Sequence, residues 1–308
     1  GAVDADLFLH ALLAGGGELR DGDEHRTRAV RAGEPLKRGA HHGARTCGMV
    51  FPTFEEYPHR LRKEQIVSFV PPLDTLRYTA NDLMNFYKDK SIDMLLLINP
   101  DNPSGNFIPK ADVVRLAAWC KERNIQLVVD ESFVDFSDDF LHNSLLCDET
   151  LEAYPNLLVM KSISKSYGVP GLRLGILATS QRETITRIKK DVSIWNINSF
   201  AEFMQIYNKY QAQYEKACQQ FIDERNRFAL RLKEIHFLRV LPTQANYFCC
   251  EVKPPYTAAE LTKQLLARFD IMIKDCNSKT SLKGLNYIRI SIRNQADNDQ
   301  LITALLNL

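Results

Sequence analysis

The sequence predicts an α/β fold in which a mostly parallel sheet flanked by helices is followed by a smaller C-terminal α+β domain. Three observations carry this prediction. From residue 49 onward, short apolar runs alternate with helical patterns, which is typical of a parallel sheet with helices on both faces. Aromatic residues then recur at three- and four-residue steps over 200–232, which indicates one long amphipathic helix. Alternating strand patterns and a last helix end the sequence.

The predicted elements follow one another in a simple order. Strands are expected at 66–70, 94–98, 127–130, 157–160 and 175–178 in the large sheet, and at 247–252, 271–273 and 287–292 in the C-terminal domain. Helices are expected at 79–88, 111–123 and 298–306. Thr79, with Asp82 three residues later, forms the pattern of a capping box and therefore fixes the start of the first of these helices.

The chain divides into four predicted segments: an atypical N-terminal segment at 1–48, a large domain at 49–195, a connecting helix at 196–235 and a small C-terminal domain at 236–308. The first segment holds nine of the chain's 14 glycines and four of its seven histidines. Such a shift in composition is typical of a flexible low-complexity arm, and equally of an out-of-frame or artificially joined coding segment. Both interpretations stay open at the level of sequence.

Composition argues against several classes of protein. A formal net charge of +1 over 308 residues argues against nucleic acid or an anionic membrane as a partner. No apolar run approaches the ~20 residues of a membrane-spanning helix, and no signal peptide is visible. The seven cysteines include no C-x-x-C pair and no zinc spacing. We therefore expect no metal site, and free thiols in a reducing cytoplasm.

Lys165 lies in a segment that suits a lysine which bonds covalently to a ligand. It stands between two serines, and Arg173 follows eight residues later. An amine that attacks an aldehyde must be neutral, which requires a desolvated pocket or a neighbouring cation such as this arginine. Serine hydroxyls and an arginine also suit a phosphate group. Together these features favour a pyridoxal 5′-phosphate (PLP) site with a Schiff-base lysine, against the alternative of a basic residue in a Ser/Gly loop.

The segment 162–175 resembles the S-x-S-K-x-x-G-x-x-G-x-R-x-G signature of the fold type I PLP-dependent transferases. The resemblance implies that Lys165 is the catalytic lysine, and that Ser162 and Arg173 bind the cofactor phosphate. Residues 1–5 resemble only faintly the family's G-[AS]-[TD]-E-A turn, whose backbone amides bind the same phosphate.

Two upstream segments carry the same resemblance. Residues 99–106 are similar to the family's N-P-x-N-P-[ST]-G loop, which implies that Asn102 donates a hydrogen bond to the phenolate oxygen of the cofactor. Asp130 ends an apolar run and matches the aspartate that keeps the pyridine nitrogen protonated, at the sheet edge where ligands bind in such folds. Phe133 stands where the family often has a tyrosine that also binds the phenolate. Asn102 is therefore expected to be the main neutral donor to that oxygen.

Three further residues complete the predicted site. Phe54 belongs to a segment similar to P-T-[FY], whose aromatic ring lies over the cofactor. Arg289 matches the R-[IV]-[ST]-[VI] arginine that binds the substrate's α-carboxylate, for which a planar fork of donors is the natural partner. Arg293 lies four residues later, on the same face of the predicted strand. It is either a second anion ligand or a solvated arginine.

The resemblance spans residues 49–308 and is nearest to the histidinol-phosphate aminotransferase, threonine-phosphate decarboxylase and aminophosphonate aminotransferase branches. It implies a homodimeric PLP-dependent aminotransferase that moves an amino group from a small phosphate- or phosphonate-bearing amine or amino acid to a 2-oxo acid. Two alternatives stay open. One is a threonine-phosphate-type decarboxylase on the same scaffold. The other, if 1–48 is foreign sequence, is a truncated fragment with an incomplete phosphate site that binds PLP weakly and has no turnover.

Overall fold

The computed structural model describes residues 2–3, 45–191 and 210–308, and their strands form two sheets. The larger sheet comprises, in chain order, β1 (Ala2–Val3), β2 (Cys47–Val50), β3 (Ile66–Phe69), β4 (Met94–Ile98), β5 (Gln126–Asp130), β6 (Leu157–Ser162) and β7 (Gly175–Ala178). Its spatial order is β1-β7-β6-β5-β4-β2-β3. The strands from β2 to β6 are mutually parallel, whereas β7 runs antiparallel to β6 and to β1. The predicted mostly parallel sheet is confirmed.

Helices connect these strands, as the alternating pattern predicts. They are α1 (Glu56–His59), α2 (Ala80–Tyr87), α3 (Lys110–Glu122), α4 (Asp148–Ala153), α5 (Ile163–Ser166) and α6 (Arg182–Asp191). The capping box at the start of α2 is confirmed, because Thr79 Oγ1 accepts from Asp82 N at 3.2 Å and Asp82 Oδ2 accepts from Thr79 N at 2.8 Å. Two orphan backbone donors are satisfied in this way.

Strand β4 shows why the strands of the large sheet can be predicted from the sequence. All five of its residues are buried, since helices cover both faces of the sheet. Leu95 and Leu97 pack with residues of α2 and α3, whereas Met94, Leu96 and Ile98 pack in a second core that includes Ile188 of α6. A parallel strand buried on both faces needs a continuous apolar run rather than an alternating one.

The second sheet is smaller and antiparallel. It comprises β8 (Leu238–Val240), β9 (Tyr247–Val252), β10 (Lys274–Asp275) and β11 (Tyr287–Ser291) in the order β10-β11-β9-β8. The helices α7 (Gln211–Lys233), α8 (Ala258–Phe269) and α9 (Gln295–Leu306) complete this part of the chain. Phe228 and Leu232 of α7 are fully buried in its core, as the aromatic stripe predicts. The earlier stripe positions at 200–207 lie outside the described residues.

Two strand predictions in this region are wrong. The predicted strand at 271–273 is a loop, because Asp270 ends α8 in the left-handed conformation (φ 57°) and Ile271 N still bonds back to Leu265 O. Pairing with β11 starts only at Lys274. Strand β11 ends at Ser291, so Arg293 lies beyond the strand and does not share a strand face with Arg289.

Two short strands flank the undescribed part of the predicted N-terminal segment. Strand β2 begins at Cys47, and Ala2–Val3 pair with β7, so both ends of the atypical segment contribute strands to the large sheet. Ala2 and Val3 are therefore extended rather than part of a turn before a helix, while residues 4–44 lie outside the described part of the chain.

The parallel strands β4, β5 and β6 end at one edge of the sheet. Asn99 N, just after β4, donates to Asp130 O at the end of β5 at 2.9 Å. Glu131 N donates in turn to Met160 O of β6 at 2.8 Å. The loops that follow these three strands are therefore adjacent, at the edge where open α/β sheets bind ligands. Within the described residues, no helix has the length and apolar character needed to cross a membrane.

Candidate active site

Asp130 is the buried carboxylate at this edge, with only 8% of its surface exposed. Its Oδ1 accepts hydrogen bonds from Ser132 N at 2.9 Å and from Ser132 Oγ at 2.5 Å. Its Oδ2 accepts from Tyr57 Oη at 2.5 Å. Hydrogen bonds to a charged acceptor are short and strong, so three donors fix the position of this carboxylate.

Ser132 also connects Asp130 to the strand that precedes the lysine. Ser162 N, at the end of β6, donates to Ser132 Oγ at 2.9 Å, and Ser132 Oγ donates to Asp130. The carboxylate and the end of β6 are thus held in one hydrogen-bond chain. The contact predicted between Ser162 and a phosphate stays a prediction.

Lys165 lies on the one-turn helix α5 directly after β6. Its Nζ is 4.5 Å from the centre of the Phe133 ring, which is the geometry of a cation–π contact. The Phe133 ring is buried and packs edge-on against Tyr247 of β9, with ring centres 5.2 Å apart. Phe133, which stands where the family often has a tyrosine, therefore lies between Lys165 and the second sheet.

Arg289 of β11 enters the site from the other side. Its Nη1 donates to Asn102 Oδ1 at 2.9 Å, and its guanidinium lies 5.0 Å from the centre of the Tyr247 ring. Its Nε is buried and has no hydrogen-bond partner among the described residues. A buried guanidinium donor without a partner is costly, and an anionic ligand would satisfy it. Because the Asn102 side-chain oxygen accepts from Arg289, the Nδ2 group is the part of this side chain that can donate a hydrogen bond to a ligand.

The loop at residues 99–106, which carries Asn102, is held by several contacts that restrict its conformation. Tyr247 Oη donates to Asp101 O at 2.7 Å. Gly105 has φ +71°, and a Cβ at this position would lie 2.1 Å from Thr243 Oγ1, so glycine is required there. Burial raises the pKa of Asp101 to about 6, although hydrogen bonds from Ser104 lower it. Burial also raises the pKa of Tyr247, and the charge of Asp101 adds to this effect.

Phe54 is 44% exposed. It packs edge-on against Tyr57, with ring centres 5.9 Å apart. The backbone around it is anchored by Lys279 Nζ, which donates to Thr53 O and lies 3.3 Å from Glu55 Oε1. Its predicted stacking over a cofactor stays a prediction.

Two predicted arginines remain. Arg173 has left-handed backbone geometry (φ 53°) just before β7, and its role at a phosphate stays a prediction. The side chain of Arg293 is 71% exposed, and its Nε pairs with Asp297 Oδ2 at 2.6 Å in the first turn of α9. This placement favours the solvated arginine over the second anion ligand.

Four residues of the site were not identified from the sequence. Ser132 could have been found, because a serine two residues after an aspartate is a common local hydrogen-bonding pattern. Tyr57 and Tyr247 carry no local signal, since their partners are 73 and 146 residues away in the chain. Lys274 pairs with Arg289 across β10 and β11, so both side chains lie on one face of the sheet.

Comparison with known proteins identifies the family that this fold and site define. The family model "Aminotransferase class I and II" matches residues 48–305, so the chain belongs to the class I and II aminotransferase family. It is 31% identical to CMP-5′-(3-aminopropyl)phosphonate synthase of Streptomyces rubellomurinus over 258 residues, covering 83% of this chain and 40% of that protein. It is 27% identical to L-serine phosphate decarboxylase of Campylobacter jejuni over 264 residues, covering 83% and 67% respectively.

Solved structures show the same fold. A decarboxylase from Sulfurospirillum multivorans matches with a TM-score of 0.76 and 27% identity, over 85% of this chain and 75% of that chain. Histidinol-phosphate aminotransferase from Sinorhizobium meliloti, solved in complex with PLP, matches with a TM-score of 0.70 and 21% identity, over 85% and 70%. The predicted fold type I architecture is confirmed, and PLP is the cofactor of this family.

The residues of this chain fit that cofactor. Three groups lie at one edge of the large sheet: the amine of Lys165, the buried carboxylate of Asp130 and the Nδ2 donor of Asn102. These are the groups needed for a carbonyl carbon, a pyridine nitrogen and a phenolate oxygen. Arg289 Nε, which has no partner in the part of the chain that the structure describes, lies beside Asn102 and suits the acidic group of a substrate.

We expect Tyr57→Phe to weaken PLP binding by roughly 10-fold or more, because Asp130 loses one of three donors and a hydrogen bond to a charged group contributes about 1.5–3 kcal/mol. Fluorescence titration of the apo-protein with PLP measures this. Tyr87→Phe is the matched control, since Tyr87 Oη donates to Val67 O at 2.8 Å in a buried position away from the site. Equal PLP affinity in both variants would contradict the role of Tyr57.

Proposed function

We propose that this chain is a PLP-dependent aminotransferase that moves an amino group from a small phosphate- or phosphonate-bearing amine or amino acid to a 2-oxo acid. One observation carries the proposal: the Lys165 amine lies against the Phe133 ring, the Arg289 guanidinium lies against the Tyr247 ring, and the two rings pack edge-on. The buried Asp130 carboxylate ends β5 three residues before Phe133. The chain spans 40% of the length of the phosphonate synthase.

Each side chain has a role in this proposal. When bound, PLP supplies an electron sink for the bond that breaks at the substrate's α-carbon. With PLP bound, Lys165 Nζ would move the proton from the substrate's α-carbon to the cofactor carbon that carried the aldehyde oxygen, which is the shift that amino transfer requires. The Asp130 carboxylate would hold a proton on the pyridine nitrogen, and Asn102 Nδ2 would donate to the phenolate oxygen.

Three further residues would contact the phosphate and the ring of the cofactor. Ser162 and Arg173 would bind its phosphate, and Phe54 would cover its ring. Phe133 has no hydroxyl, so it excludes water next to Lys165 rather than donating a hydrogen bond.

The charges near Arg289 support an acidic substrate. Arg289 binds the α-carboxylate, and Lys274 lies beside it on the same face of the sheet. Two adjacent cations suit a molecule with two acidic groups, such as an amino acid that also bears a phosphate or phosphonate. The names of the phosphonate synthase and the serine phosphate decarboxylase agree with this class of substrate.

Decarboxylation is the second candidate reaction. It is favoured by the relatives, because both the Campylobacter protein and the Sulfurospirillum structure bear the name decarboxylase. The same three residues, Lys165, Asp130 and Arg289, would serve. The bond that breaks would be the one from the substrate's α-carbon to its carboxylate, rather than the one from the α-carbon to its hydrogen.

One experiment separates the two reactions. The PLP-loaded protein is incubated with phosphorylated and phosphonylated amines and amino acids, with and without 2-oxoglutarate, and both glutamate and carbon dioxide are measured. Amino transfer predicts glutamate that depends on the 2-oxo acid. Carbon dioxide release that is independent of the 2-oxo acid would overturn amino transfer and establish decarboxylation. Neither product from any substrate would contradict both.

We expect Arg289→Ala to weaken substrate binding by roughly two to four powers of ten, since removing one partner of a buried charged pair costs about 3–5 kcal/mol. PLP should remain bound, because Ser132 and Tyr57 hold Asp130 independently of Arg289. Only the oxygen of Asn102 loses its partner, and the Nδ2 donor proposed for the cofactor remains. Arg293→Ala is the matched control, and as an exposed residue it should change binding by less than about 0.5 kcal/mol. Equal loss of cofactor and substrate would show a structural role for Arg289.

We further propose that the protein is a homodimer, as the family resemblance implies. Light scattering coupled to size-exclusion chromatography of the PLP-loaded protein tests this, and a monomeric mass at all concentrations would contradict it.

A further inference from the structure

The turn that carries Lys165 is held by an aromatic stack from the long helix. The ring of Tyr167, two residues after the lysine, lies against the ring of Tyr214 in α7, with centres 4.2 Å apart and planes inclined by only 7°. Helix α5 has a single turn and cannot hold its own position. A contact from outside must therefore fix the lysine.

A buried ion pair holds the other end of the same segment. Lys161 Nζ, four residues before the catalytic lysine, lies 2.7 Å from Asp135 Oδ1, and the two side chains are 12% and 8% exposed. The segment 161–167 is thus attached at both ends, by Lys161 to the 3₁₀ turn at Val134–Phe136 and by Tyr167 to α7.

The two elements that hold this segment are also attached to each other. The rings of Phe136 and Phe221 have centres 4.8 Å apart, and the buried Arg225 of α7 donates to Phe136 O at 2.5 Å. Farther along α7, Phe228 is buried in the core of the small sheet. Helix α7 therefore links the core that carries Arg289 to the turn that carries Lys165.

We propose that Tyr214 is a positioning residue for Lys165, acting through its stack on Tyr167. This rests on the proposed catalytic role of Lys165. We attribute this positioning role to the ring, which is parallel to the Tyr167 ring and in close contact with it. Tyr214 Oη lies near Ser166 and Asp135 but meets no partner at hydrogen-bond geometry among the described residues. Burial raises the pKa of Tyr214, and the nearby Asp135 carboxylate raises it further, so the hydroxyl stays neutral.

The test compares Tyr214→Leu, which removes the stack, with Tyr214→Phe, which keeps it. Hydrogen exchange of the apo-protein should become faster in the peptide covering 161–168 in the leucine variant, while peptides from β4 and β5 stay unchanged. In the PLP-loaded enzyme kcat should fall about 10- to 100-fold with little change in KM, since a small displacement of a reacting group is costly while Arg289 is untouched. The phenylalanine variant should behave like the unchanged protein in both measurements.

Two comparisons exclude a general structural effect. Tyr210→Leu is the matched control, since Tyr210 lies four residues earlier at the start of α7 and is 55% exposed. It should alter neither exchange nor kcat. If the stack acts as one unit, the double variant Tyr167→Leu/Tyr214→Leu should be no worse than the more damaged single variant.

Three results would overturn the proposal. They are unchanged exchange at 161–168 in Tyr214→Leu, an equal loss in Tyr214→Phe, and faster exchange throughout the chain. The exchange measurement needs no turnover, so a failure of the proposed amino transfer leaves this test intact.

Discussion

Lys165→Ala is expected to abolish covalent retention of PLP and to reduce turnover by at least roughly 10²- to 10⁴-fold, the contribution of a positioned proton-transfer group alone. The loss should be larger than this range, because the same amine is the nucleophile toward the cofactor aldehyde. The measurement has two parts, turnover with the best substrate and borohydride reduction of the loaded protein followed by peptide mapping.

The mapping contains its own control. Lys161 lies only four residues from Lys165, but its amine is paired with Asp135 in a largely buried position. The pyridoxyl label should therefore appear on Lys165 and not on Lys161. A label on any other lysine, or its persistence in Lys165→Ala, would end the assignment.

Asp130→Asn is expected to reduce kcat by roughly two to four powers of ten, since removal of one charge from a buried charged pair costs about 3–5 kcal/mol. The amide keeps the shape of the carboxylate, so Ser132 can still donate to its oxygen. It cannot hold a proton on the pyridine nitrogen in the same way. Circular dichroism of the apo-protein should show an intact fold.

The exposed Asp139, whose side chain is 61% accessible, offers the matched control. Asp139→Asn removes the same charge nine residues later, outside the site, and should leave kcat unchanged. Near-normal turnover in Asp130→Asn would remove this residue from the mechanism. An equal fall in both variants would indicate an effect of net charge alone.

The sequence by itself determined the architecture and one edge of the site. Strand β4 has the predicted bounds, because a strand buried on both faces needs an unbroken apolar run, and turn residues mark where that run ends. The start of α2 was equally clear, since a capping box is satisfied within four residues. Asp130 and Lys165 could be placed near one another because parallel strands end at a common edge.

The tertiary structure alone decided which side chains meet across the sheets. Arg289 bonds to Asn102 over 187 residues of chain, and Tyr57 bonds to Asp130 over 73. No periodicity in the sequence encodes such pairs, since they depend on the spatial order of strands and on which face each residue occupies.

The same reason explains the errors near the C-terminus. Apolar residues at 271–273 satisfy a strand pattern, but the left-handed Asp270 directs Ile271 back to α8, and pairing begins at Lys274. Lys274 therefore pairs with Arg289, whereas Arg293 lies beyond the end of β11 at Ser291. Hydrogen bonds formed by the end of a neighbouring helix determined the register there, and this is information that the strand pattern does not contain.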